Sequence, residues 1–406
     1  MELLERFLRY TKIWTTSDEA KSGTTPSTQR QFDLARLLTA ELKELGAADA
    51  VCDEHCYVYA HIPATPGCEQ APALGFVAHM DTAEFCGENV QPRIIEQYDG
   101  KKLVYPNGLC LDPKEFPHLK TLRGRTLIVS SGDTLLGADD KAGVAEIMEL
   151  VQRLMQSGKP HGKLCIGFFP DEEIGAGTAA FDKAAFGADF AYTVDGGPEG
   201  EISFECFNAA SARIELRGKS IHPGEAKNKM VNAAVLATEI NAMLPAAERP
   251  ENTEGYEGFF GLMHMEGSVE AAMLDYIVRD HDAARFEEKQ DTLRRIVKLV
   301  NEKYGEGTAT LTLRTQYRNM KEALTGCEHL VENAKKAAKA AGVKPNILPV
   351  RGGTDGAALS FMGVPCPNLG TGGWCFHGPL EHITLEAMEK VVAILETLVA
   401  IYADFR

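Results

Sequence analysis

Three successive acids, Asp171-Glu172-Glu173, follow the apolar run Lys163-Leu-Cys-Ile-Gly-Phe-Phe169 and precede Gly175-Ala-Gly177. A run of that length and composition reads as a buried strand. It puts the acids at a carboxyl end, where open α/β sheets hold their ligands. Adjacent anions repel one another and lose hydration on burial, so protons or a cation must offset the cost. A multivalent metal ion meets that demand, and a glutamate left free beside it can move a proton to and from a polarised water. The alternative is an acidic turn solvated at the surface.

Other strands expected in the same sheet lead at their carboxyl ends to the same chemistry. His79 and Asp81 follow the strand-like Ala73–Ala78, Asp139 and Asp140 come after Thr126–Val129, and Asp195 follows Phe190–Val194. The loop Gly372-Gly-Trp-Cys-Phe-His-Gly378 adds His377, with His382 as the other choice. Singly, each has a simpler explanation: a core histidine, a helix cap, a turn before two glycines. Jointly, imidazoles with carboxylates suit zinc, manganese or cobalt better than calcium, and no paired-cysteine motif competes. The donors outnumber what one tetrahedral ion needs, which points to two ions sharing a carboxylate. In an extended segment His79 and Asp81 project to one side, so Asp81 can orient a ligand imidazole. Glu172 and Glu173 point in different directions, so one can bind while the other serves as a base.

The elements that must position these groups follow from periodicity. Leu3, Leu4, Phe7 and Leu8 mark a first helix, and Leu34, Leu37, Leu38, Leu42 and Leu45 a second that Gly46 terminates. Glu84–Arg125 reads as loop, and the helix bearing Val144, Ile147, Met148 and Val151 follows Gly143. Strand, helix and strand in succession predict an α/β fold with a mainly parallel mixed sheet covered by helices on both faces. Past residue 206 the order becomes βαββαβ: Ala212–Arg217, Val231–Leu244, Gly258–Met265, Ala272–Arg279, Arg285–Tyr304 and Ala309–Thr315. That is a self-contained sandwich. The expected organisation is a catalytic domain over 1–206 and 318–406, interrupted by an inserted domain over 207–317.

The 406 residues exceed what one core serves, in keeping with two domains. A net charge of −16 argues against nucleic acid and against an anionic membrane surface as partners. The N-terminal segment mixes acids and bases among its apolar residues, unlike a signal peptide, and no run approaches a membrane span. Ten scattered cysteines read as reduced thiols, which places the chain in the cytoplasm.

The set His79-Met-Asp81, Gly137-Ala-Asp139-Asp140-Lys141, Pro170-Asp-Glu172-Glu173, Asp195-Gly-Gly, His222-Pro-Gly and His377-Gly resembles the co-catalytic zinc exopeptidases of the aminoacylase and glutamate carboxypeptidase superfamily. The likeness runs through essentially the whole chain. It implies two Zn2+ ions per subunit, with Co2+ or Mn2+ as substitutes, and removal of the N-terminal residue from short peptides, tripeptides above all. Asp139 would bridge the ions, His79 and Asp195 completing one site, Glu173 and His377 the other. Asp81 would orient His79, Glu172 would be the general base, and the Asp139-Asp140 peptide would be cis. The inserted sandwich would be a lid whose His222 polarises the scissile carbonyl, with Arg279, Asn232 and Arg351 holding the peptide. A homodimer is compatible with this reading. Pro379-Leu380 departs from the more polar step expected after His377-Gly378, which leaves substrate preference open. The rival readings are a dipeptidase, carboxypeptidase or N-acyl amino acid deacylase on the same scaffold, and a non-catalytic metal- or peptide-binding protein.

Overall fold

A computed structural model describes residues 1–404. The chain divides into two compact units, one of Met1–Phe204, Ala323–Leu348 and the chain from Thr354, the other of Glu205–Glu322 with Pro349–Gly353. The short segment Pro349–Gly353 thus groups with the second unit, although its sequence position lies within 318–406.

The first unit is built on an eight-stranded mixed sheet in the order Val51–Cys52, Val58–Ile62, Leu164–Phe169, Leu74–His79, Phe190–Val194, Asn368–Leu369, Glu201–Ser203 and Asn346–Ile347. The middle four strands run parallel, and antiparallel pairings enter toward both edges. Every residue of Leu74–His79 and of Leu164–Phe169 is buried, which is why these strands read as unbroken apolar runs rather than alternating ones. Alternate side chains serve opposite faces. Phe76 stacks on Tyr192, which meets Tyr402 of the last helix, Leu385–Ala403. Val77, Cys165 and Phe169 instead join Tyr57, Phe186 and Leu359 in a separate cluster. The helix Ala138–Ser157 packs on Leu74–His79 and against the first and last helices.

Two expectations need correction. Leu127–Val129 is a strand, but it belongs to a small antiparallel sheet with Arg93–Ile95 and His382–Thr384, outside the main sheet. Asp139 and Asp140 therefore stand at the start of a helix rather than at a strand end of the main sheet. The supposed loop over 84–125 also carries the short strands Arg93–Ile95, Leu103–Val104 and Cys110–Leu111 and the 3-10 turn Pro117–Leu122. Strands of two or three residues are too short for alternation to register.

The second unit follows the order βαββαβ: Asn208–Arg217, Ala233–Met243, Phe259–Gly267, Ala271–Asp280, Ala283–Tyr304 and Ala309–Tyr317. Its four strands form one antiparallel sheet. Ala210, Ala212, Ile214 and Leu216 alternate onto a single core face, where Leu236, Ile240, Leu293, Ile296 and Val300 from the two helices cover them. The intervening side chains of Asn208–Arg217 are largely exposed, the pattern of a sheet covered on one side. Among the described residues no helix is long and apolar enough to cross a membrane.

Gly143 fixes the approach of the helix Ala138–Ser157 to the strand Phe190–Val194. A Cβ there would stand 1.9 Å from the Val194 carbonyl oxygen and 2.6 Å from Asp140 Oδ1. Neither neighbour is the free end of a flexible chain. Gly143→Ala is expected to lower the free energy of unfolding by about 1–3 kcal/mol or more, as overpacking of a rigid interior does. Urea denaturation of the two proteins measures it.

Candidate metal centre

Three adjacent parallel strands deliver most of the cluster. Leu74–His79 ends in His79, Leu164–Phe169 leads into Asp171-Glu172-Glu173, and Phe190–Val194 leads into Asp195. Their carboxyl ends lie side by side, so residues far apart in sequence meet there. The start of the helix Ala138–Ser157 brings Asp139 and Asp140, joined by a cis peptide. The loop after Gly373 brings His377, whose φ of 60° turns the chain sharply.

Asp139 is the centre of the arrangement. Its Oδ1 lies 3.0 Å from His79 Nε2, and its Oδ2 lies 3.1 Å from His377 Nε2. Glu173 Oε2 is 2.9 Å from the same His377 nitrogen. One ligand atom from each of His79, Asp139 and Glu173 falls within 4.8 Å of the others, and the same holds for His79, Asp140 and Asp195. Glu172 is adjacent, with Oε2 at 4.0 Å from His79 Nε2.

The surroundings hold this set in place. Asp81, wholly buried, accepts the backbone N–H groups of Glu172 at 3.0 Å and Glu173 at 3.2 Å. His79 Nδ1 lies 3.1 Å from the Asp81 carbonyl oxygen and 3.4 Å from its carboxylate. A carbonyl can only accept, so Nδ1 carries a proton, and Nε2 is the nitrogen that faces the cluster. Asp81 thus orients the acidic turn as well as the imidazole. Asp171 accepts from Ser27 N–H, Ser27 Oγ and Gln31 Nε2, so it belongs to the framework of the turn.

Two carboxylates gave no signal in the sequence. Glu381 accepts the backbone N–H groups of Leu136 and Gly137, both at 2.7 Å, and of Asp139 at 2.9 Å. It holds the segment that presents Asp139. Asp355, at the start of the short helix Asp355–Phe361, is buried and leaves Oδ2 without a hydrogen-bond partner. Burial pushes its carboxyl up to about 8.

The donor set fits divalent metal. Glu173 Oε1 and Asp140 Oδ1 are buried and without hydrogen-bond partners. Burial pushes Asp195 up to about 7, with Asp139 adding to the rise, and drives Glu172 well above the carboxylate range. Asp139 goes the other way: burial opposes its charge, but hydrogen bonds from His377 and His79 hold it low. Burial works against a charged His79, yet Asp139 and Asp81 raise it well above its usual value, and Asp139 and Glu173 raise His377 to about 11. So many acids sharing so few protons make a cavity for cations.

The remaining sequence-derived positions lie in the second unit. His222 is exposed, with Nδ1 accepting Gly224 N–H at 3.2 Å. Asn232 caps the helix Ala233–Met243 by accepting Val235 N–H. Arg279 is buried, donates to the carbonyls of Ala210 and Val278, and lies over the Tyr317 ring. Arg351 donates to the carbonyls of Gly255, Glu257 and Thr253 and to Thr253 Oγ1.

Similarity to known proteins agrees with this chemistry. Residues 136–401 match the model of peptidase family M20/M25/M40. Peptidase T of Clostridium perfringens is 50% identical over 402 residues, covering 98% of both chains. In fold, the chain is similar to aminopeptidase PepT from Bacillus cereus (TM-score 0.79, 23% identity, 99% and 98% of the two chains covered) and to a tripeptidase from Staphylococcus aureus (0.78, 22%, the same coverage). It is also similar to a dinuclear metal-binding peptidase of Bacillus subtilis (0.67, 15%, 98% and 97%). The chain belongs to peptidase family M20/M25/M40, a family of metal-binding hydrolases. Within it, the chain groups with the proteins named peptidase T.

The charge pattern sets a pH dependence for the chelated protein. Asp195, Asp355 and Glu381, raised to about 7, 8 and 7, favour folding while protonated, and that contribution is lost as pH climbs from the unfolded carboxylate range through those values. The raised His79 and His377 act in the same direction above pH about 6.5. The depressed Asp139 matters only in acid. Metal-free protein is therefore expected to melt at lower temperature at pH 8 than at pH 6, and added zinc to raise the melting point more at pH 8. Scanning calorimetry with and without chelator reads both.

Proposed function

We propose that this protein is a two-zinc aminopeptidase of the cytoplasm that releases the N-terminal residue from short peptides, chiefly tripeptides. The observation that carries the reading is the shared position of Asp139 between His79 and His377, with Glu173 beside it and Glu172 just outside the pairs. The aminopeptidase and tripeptidase named among the fold neighbours support the substrate class. The ten free thiols suit a reducing compartment.

On this reading His79, Asp139 and Asp195 would hold one ion and Asp139, Glu173 and His377 the other, with Co2+ or Mn2+ able to replace zinc. When bound, the ions supply Lewis-acid polarisation of the peptide carbonyl and acidify the attacking water. Glu172 is the base. Burial raises its carboxyl well above the ordinary range, so it takes a proton from the water and holds it until the amine departs. Asp81 fixes the Glu172-Glu173 backbone and the His79 tautomer, and Glu381 fixes Asp139.

His222 is the substrate contact assigned to the second unit. With Nδ1 accepting from Gly224, the neutral ring carries its proton on Nε2, a donor suited to a carbonyl that gains negative charge. Arg279, Asn232 and Arg351 are the further residues proposed to hold the peptide: Asn232 caps its helix through Oδ1 and keeps its amide NH2 to donate, whereas Arg351 already engages both terminal nitrogens.

Glu172→Ala is expected to retain two bound ions while kcat on Ala-Ala-Ala falls by about 100- to 10,000-fold. Undiminished turnover would overturn the base assignment. Ala-Ala-Ala, Ala-Ala and an N-acetyl amino acid assayed together separate an aminopeptidase from a dipeptidase or a deacylase, since only hydrolysis at a free α-amine of the tripeptide fits the proposal. A carboxypeptidase is told apart on Ala-Ala-Phe, where it would release phenylalanine first.

A further inference from the structure

A second group of metal-capable side chains lies within the first unit and shares no residue with the acidic cluster. His118, on the 3-10 turn Pro117–Leu122, faces His382, the first residue of the strand His382–Thr384. Their Nε2 atoms are 2.9 Å apart. The sulfur of Cys375 lies within 4.8 Å of the donor atoms of both.

Local structure explains the convergence. Trp374 and His382 form an antiparallel bridge, Trp374 N–H donating to the His382 carbonyl at 2.9 Å and His382 N–H to the Trp374 carbonyl at 3.0 Å. Cys375 comes next, with a φ of 58°. The indole of Trp374 stacks on His118, centroids 3.9 Å apart and planes within 4°, and so sets the plane of that imidazole.

The tautomer of His382 is also fixed. Its Nδ1 lies 2.7 Å from the Leu380 carbonyl oxygen, so the proton sits on Nδ1 and the lone pair on Nε2 points at His118. An imidazole held at its far nitrogen by a carbonyl is the form in which histidine is presented to metal. Burial keeps His382 at about 4 and His118 below its usual value, so neither ring carries charge at neutral pH.

We propose that His118, Cys375 and His382 form a third metal site, distinct from the acidic cluster, which takes a borderline-soft divalent ion such as zinc and leaves a fourth position open to solvent. Two imidazoles and a thiolate, with no carboxylate among them, select zinc or cobalt over magnesium or manganese. A tetrahedral zinc ion would put the two nitrogens about 3.3 Å apart, from bond lengths of about 2.0–2.1 Å, so the rings need open by only a few tenths of an ångström. Binding releases the thiol proton of Cys375 to solvent, while neutral His118 exchanges its Nε2 proton for one on Nδ1 and so frees the Nε2 lone pair. The ion would tie the loop bearing His377 to the turn bearing His118. It would sit one residue beyond Glu381, which holds the Asp139 segment.

The test is cobalt titration of the full chain after chelation, read by near-ultraviolet absorption and by elemental analysis of bound metal. The acidic cluster contains no thiol, so a thiolate-to-cobalt charge-transfer band tells the proposed site from it, and Cys375→Ser tells the site from the other free thiols. The expected result is a band that saturates with one equivalent and is lost, together with that one equivalent, in Cys375→Ser and in His118→Gln, the other bound ions being retained. Absence of the band in the unaltered protein at saturating cobalt overturns the site, as does a band that survives both substitutions. If the acidic cluster held no ion, the band would still appear, with a stoichiometry of one, so failure of the two-zinc reading is told apart from failure of this one.

Discussion

Charge of one sign crowded where burial strips most of its hydration is the constraint around which the first unit is built. Asp139, Asp140, Glu172, Glu173 and Asp195 meet at the ends of three parallel strands and one helix, with only two imidazoles among them to supply positive charge. Such a group cannot be ionised throughout and remain folded unless cations enter. The surrounding hydrogen bonds are arranged accordingly. Asp81 and Glu381 collect backbone N–H groups, which stiffens the chain on either side without adding another side-chain cation to compete with metal.

That economy explains the division of work between neighbours. Glu172 and Glu173 are consecutive and share the same backbone anchor in Asp81, yet Glu173 meets His377 while Glu172 stays at the edge of the pairs. A turn of three residues, Glu172–Ile174, points the two carboxylates apart. On the proposed reading, ligand and base then differ by direction alone. The cost of keeping Glu172 buried is met by its raised proton affinity, which is the property a base that later acts as an acid requires.

Much of this was legible in the sequence, for reasons that differ by residue. Leu74–His79 and Leu164–Phe169 announced themselves as unbroken apolar runs because both faces are covered, and the βαββαβ order showed in the alternation of Ala212–Arg217 and in the helical stripe Leu293, Ile296, Val297 and Val300. His79 could be singled out because it closes an apolar run, and Asp139, Glu173 and His377 because each lies in a glycine-bearing segment. The sheet that holds Leu127–Val129 could not be read, since a three-residue strand pairs wherever the fold brings partners. Glu381 and Asp355 are ordinary acids in sequence and acquire meaning only from the amides and carboxylates brought near them. His118 likewise says nothing until Trp374 lies on its ring.

The span between the two histidines that meet Asp139 has a consequence for synthesis. His377 follows Asp139 by 238 residues, and the carboxylate that anchors Asp139 comes from Glu381, later still. A chain emerging from the ribosome can complete the strand that ends in His79 and most of the central sheet long before those groups exist. The half-made enzyme therefore carries the acids of the centre but lacks the clasp that closes it. On the proposed reading, peptide cleavage must wait until His377 and Glu381 have been made and folded against Asp139.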